Sequence, residues 1–161
     1  MKADTSTYSN LQVRSALISS IRMKSKKSSI YNHKIPIMNA DQLKDRTKSF
    51  AADVARFCQI IHPNPLLKPY ANQLIRASSS VGANYRAACR AKSGRDFLNK
   101  LKIVEEECDE CMFFLELISM LNPDQRESIT PIWREANEIL SIIVSSIGTT
   151  RKSLNTKSKK F

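Results

Sequence analysis

From residue 39 onward the apolar residues recur at alternating steps of three and four, the spacing that draws one stripe along a helix. The first series is Leu43, Thr47, Phe50, Val54, Phe57 and Ile61. Asn39 or Asp41 can cap its start, and the prolines of "HPNP" (62–65) end it, because proline has no amide hydrogen to donate. The second opens near Pro69 and runs Leu74, Ser78, Val81, Tyr85, Ala88. Small residues crowd that stripe, and Gly82 among them predicts a tight approach of a neighbouring helix, since mid-helix glycine costs about 1 kcal/mol against alanine. "KSGR" (92–95) reads as the next break. The third series is the most regular: Phe97, Leu101, Val104, Cys108, Cys111, Leu115, Ile118. "NPD" (122–124) starts the fourth, with Asn122 as cap and Pro123 in the first turn. It continues Ile129, Ile132, Ala136, Ile139, Ile143, Ser146, Thr150, widened by Trp133, Leu140, Val144 and Ile147, with Gly148 as its stop.

Four amphipathic helices on short loops predict an all-α, antiparallel up-down four-helix bundle over 38–150. At 161 residues, one domain is expected. No strand pattern and no internal repeat interrupt this reading. Three glycines and 7% aromatic residues also suit helices better than a sandwich or barrel.

Charge changes the picture more than composition does. The net charge is +11, but residues 39–150 are neutral. Residues 1–38 carry +6 and residues 151–161 carry +5. Residues 1–37 therefore read as a basic extension expected to be disordered, and 151–161 as a basic C-terminal tail. Met38 precedes a clean helix start, so 1–37 reads either as an upstream extension or as a Ser/Lys-rich leader resembling a transit peptide. No run approaches the ~20 apolar residues of a membrane span. No export signal is visible, so a cytoplasmic protein with reduced thiols is expected.

Four cysteines and a "CDEC" motif invite a metal or redox reading. Zinc knuckles pair two CxxC units on turns, whereas Cys108 and Cys111 occupy consecutive core positions of one helix, and Cys58 and Cys89 stand alone. The thiols are read as core, with no metal and no cofactor. His33 and His62 lack the Glu-x-x-His spacing of a di-iron bundle. No catalytic constellation emerges, and the chain is read as a non-enzyme. The six acids of 105–116 fall mostly off the apolar stripe and read as a solvated face.

The basic helix remains. Residues 68–95 hold Lys68, Arg76, Arg86, Arg90, Lys92 and Arg95 and no acid. Arg86 and Arg90 share a helix face. These charges either pair with the acids of the third helix, in this chain or a sister subunit, or meet nucleic-acid phosphates. The candidate phosphate-binding set is Arg76, Arg86, Arg90, Lys92, Arg95, Arg151 and Lys152. No base-reading motif is present, so binding would be charge-driven.

"MNADQLKDRTKSFAADV" (38–54) and "NQLIRASSSVGANYRAACRAKSGRDFLNKLKIVEEECDECMFFLEL" (72–117) resemble the bacterial four-helix-bundle family encoded in 23S rRNA intervening sequences. That family includes the accessory variability proteins of diversity-generating retroelements. The similarity spans about residues 38–152. The resemblance implies a bundle that assembles into a cyclic homo-oligomer, a homopentamer in members of known structure. It also implies, for the retroelement members, binding to nucleic acid and to a reverse transcriptase. The family's basic motif positions fall on Arg76, Arg86 and Arg90. The residue after the first is often serine there and is Ala77 here. Two functions are thus expected: a nucleic-acid-binding oligomeric adaptor, or a structural protein–protein assembly module.

Overall fold

The computed structural model describes residues 39–158, with side chains to 156. The expectations for residues 1–37 lie outside the described residues. Four helices follow in order: α1 (Ala40–Ile61), α2 (Lys68–Ala88), α3 (Gly94–Leu121) and α4 (Arg126–Ser158), with a 3-10 turn at Pro123–Gln125 before α4. Each packs on its neighbour in sequence, and α4 returns to touch α1 more sparsely. This is the expected up-down bundle. None of the described helices is long and apolar enough to cross a membrane.

Local chemistry sets the boundaries. Asn39 and Gln42 form a reciprocal cap on α1, the Asn39 side-chain Oδ1 accepting from the Gln42 backbone amide at 2.9 Å and the Asn39 backbone amide donating to Gln42 Oε1 at 2.9 Å. After α1 the chain turns through the prolines, and Leu67, fully buried, pins the connection into the core beside an exposed Leu66. Ser93 caps α3 by accepting from the Asp96 amide at 3.1 Å.

The first stripe is buried throughout, as is the second with Ala71 and Ala77 added. Leu101 to Ile118 of the third are fully buried, with Phe97 packed against them. Two hydroxyls inside this core are satisfied by their own helices: Thr47 donates to the Lys44 carbonyl at 3.0 Å and Ser78 to that of Ile75 at 3.1 Å.

The fourth helix departs from expectation in three ways. Asn122 makes no side-chain cap, and the 3-10 turn delays α4 to Arg126. Ile129, Ala136, Ile139 and Ile143 are buried as expected, but the stripe ends on Ile147 rather than Ser146, and Val144 is exposed. The helix also runs through Gly148 to Ser158. Glycine stops a helix by turning left-handed, and no described glycine has a positive φ. Arg151 and Lys152 therefore stand on a helix.

Gly82 faces the backbone of α1, the close helix approach expected of it. A Cβ placed there would lie 3.6 Å from the Thr47 carbonyl oxygen, ordinary contact distance. α1 is close, but a methyl fits. Gly82→Ala is thus expected to stabilise the bundle by up to about 1 kcal/mol, read as a raised denaturation midpoint. A lowered midpoint would mean that the two backbones tolerate no added atom.

Candidate nucleic-acid interface

The up-down order places the start of α1, the end of α2, the start of α3 and the end of α4 at one end of the bundle, here called its base. Arg86 lies in the last turn of α2, Arg90 and Lys92 in the connection, Arg95 in the first turn of α3, and Arg151 and Lys152 near the end of α4. A Cβ on Gly94 would come 2.9 Å from Leu154 Cδ2, so the end of α4 rests against the start of α3. All six cationic residues are exposed. None of their side chains has an ion pair or hydrogen bond among the described residues.

The nearby acids are engaged elsewhere. Asp96 Oδ2 accepts from the Lys92 backbone amide at 3.0 Å. Asp41 binds Lys44 Nζ at 2.8 Å. That hydrogen bond holds the Lys44 ammonium above its ordinary pKa, while Arg86 close by acts in the opposite direction. Lys44 thus belongs to the base, although no pattern along the sequence joins it to Arg86. Folding α1 back beside α2 does so.

Arg76 stands apart. It lies ten residues up α2 from Arg86, about 15 Å along the axis. Its Nη2 donates to Glu110 Oε1 at 2.6 Å and its Nε to Gln73 Oε1 at 3.0 Å. The pairing of α2 arginines with α3 acids, weighed from the sequence as an alternative to phosphate binding, occurs here and only here among the described residues.

The acidic run is less of a solvated face than its composition suggested. Glu110 holds Arg76, and Glu105 holds Lys102 at 2.5 Å. Glu116 Oε1 accepts from the Trp133 indole at 2.9 Å, locking α3 to α4. Glu107 turns one carboxylate oxygen inward, where no described group bonds it. Glu106 and Asp109 alone of the six are exposed. Sequence reading also missed the clamp between α1 and α4. There Arg46 binds Glu135 through Nε and Nη2 at 2.5 and 2.8 Å and reaches Glu138 through Nη2 at 2.5 Å.

The thiols are core residues, as expected. Cys58, Cys108 and Cys111 are fully buried and Cys89 is half-buried; none is bonded to another. Cys58 donates to the Ala71 carbonyl at 3.6 Å. Burial pushes the Cys58 and Cys108 thiols up to about 12 and Cys111 higher still. Among the described residues no group of three His, Cys, Asp or Glu side chains is placed to hold a metal ion.

The molecule is therefore an antiparallel four-helix bundle with cations gathered at one end. Residues 42–145 match the 23S rRNA-intervening sequence protein family, and the chain belongs to that family. Among solved structures it is similar to a protein of unknown function from the S23 ribosomal protein family of Bacteroides thetaiotaomicron. The two are 30% identical with a TM-score of 0.61, over 65% of this chain and 97% of that one. No curated protein matches the chain.

Proposed function

We propose that the chain is a non-enzymatic, cytoplasmic adaptor that assembles into a cyclic homo-oligomer and grips nucleic-acid phosphates with its base. The carrying observation is that six exposed cations at one end have no acidic partner among the described residues, while Arg76 and Arg46 elsewhere do. Arginine offers a fork of donors matched to phosphate, and several such groups on separate helix ends suit a backbone rather than a base edge. Family membership favours RNA as the physiological ligand. A reverse transcriptase is the partner enzyme to which such an adaptor would present RNA, as the likeness to retroelement accessory proteins implies. Gel shift of the full chain against RNA and DNA at 50 mM salt tests this. Retarded complexes are expected, and no detectable affinity overturns it.

A second reading, a protein–protein assembly module without nucleic-acid binding, is favoured by a different observation. Ile60, Leu66, Phe113, Met120 and Leu121 are exposed on the half of the bundle away from the cations. Under this reading the same arginines would meet Glu106 and Asp109 of a sister subunit, and losing them would change oligomer size rather than binding.

A further inference from the structure

We infer that the base takes nucleic acid as a base-paired helix rather than as a single strand. This deepens the phosphate-binding reading and rests on it. Proteins that hold single strands combine a cationic track with exposed aromatic rings, and each stacked base is worth about 1–3 kcal/mol. The cations are present here, but among the described residues no largely open ring lies beside them. Tyr85 is only 7% exposed and Phe97 is half-buried, packed against the core. Among the described residues Phe113 is the one aromatic with a largely open face, at 57%. It sits 19 residues along α3 from Gly94, about 28 Å up the bundle. A nucleotide whose phosphate meets Arg86 or Arg95 cannot place its base on that ring.

The spread of the charges points the same way. They come from the end of α2, its connection, the start of α3 and the end of α4. Helices packed about 8–10 Å apart give such an end a width of about 20 Å. That width spans either groove of a duplex, about 6 and 12 Å across in B-form DNA, so cations on different helices can reach phosphates of both strands. A duplex also presents roughly twice the linear charge of a single strand, at positions fixed in advance. A single strand must be ordered at an entropic cost that no open ring among the described residues offsets at this end.

The test is competition binding of the full chain at 50 mM salt, using a 20-nucleotide single strand without self-structure and the matching 20-base-pair duplex, each as RNA and as DNA. The duplex is expected to bind at least tenfold tighter, well beyond its doubled phosphate count. Equal or tighter binding of the single strand overturns the inference but leaves the phosphate-binding reading standing. Binding of neither overturns both. Arginine planes can themselves stack on unpaired bases, so Arg86→Lys with Arg90→Lys supplies a second arm. Charge is kept and the plane is lost. Affinity for duplex within about threefold of the parent protein supports recognition through phosphates. A tenfold loss confined to the single strand would show guanidinium stacking and overturn the premise that this end offers unpaired bases no platform.

Discussion

Raising salt from 50 to 200 mM is expected to weaken nucleic-acid binding about 10³-fold, and removing Arg86 and Arg90 together should take away about a third of that salt dependence. Each neutralised phosphate releases about 0.9 of a counterion on a duplex, so six contacts give a log–log slope near −5. Arg86 and Arg90 are exposed and have no ion pair among the described residues, so their replacement by alanine costs the fold nothing that the structure shows. The slope should shrink by about 2, with affinity at 50 mM falling on the order of tenfold or more. Arg76→Ala is the internal control. Its guanidinium is already committed to Glu110 and Gln73, so the slope should barely move. Light scattering must show the same particle mass for the double variant as for the parent chain. A changed mass with binding retained would instead favour the assembly module. An unchanged slope would mean that the base cations do not meet phosphate.

The stripes that build the core were readable because burial in a helix repeats every 3.6 residues, and in α1 to α3 each apolar position of the series packs inward. α4 was less readable because its stripe is broad. Val144 and Ile147 both lie near the apolar side, and only packing against α3 shows that Ile147 goes inside and Val144 outside. Gly148 misled because glycine permits a helix stop without requiring one. The functional end was legible as charge without acid, but periodicity along one helix could not divide it. Arg76 and Arg86 are both exposed arginines of one acid-free helix. What separates them is Glu110, 34 residues beyond Arg76. The same holds for Arg46, whose carboxylate partners lie 89 and 92 residues away, and for Lys44, which joins the base only through topology. Side-chain partners across helices depend on rotational register and axial level, and neither is written in a local spacing.

Stability is expected to collapse between pH 9 and about 12, with the buried thiols as a principal cause. In the unfolded chain a thiol ionises near 9.0, whereas burial raises Cys58 and Cys108 to about 12 and Cys111 further. Because the folded pKa is the raised one, the stabilisation is complete below pH 9. As pH climbs through the window, the unfolded chain releases protons that the folded chain still holds, and the balance shifts towards unfolding. Each thiol contributes about 1.4 kcal/mol per pH unit, so three together remove about 4 kcal/mol per unit. Against a total of about 5–15 kcal/mol for a domain, that is enough to unfold the bundle within the window. Burial also pushes the Tyr85 hydroxyl up, which adds to the loss at high pH, so the decisive comparison is between slopes. Cys108→Ala with Cys111→Ala should lower stability at pH 8 by leaving small cavities. Its decline from pH 9 to 11 should nonetheless be shallower than that of the parent chain, by roughly twice the single-thiol figure. Denaturant midpoints followed by circular dichroism at each pH measure this directly. Parallel slopes for the two proteins would mean that the thiols ionise in the folded bundle as readily as in the open chain, and that the core around Cys108 and Cys111 admits water.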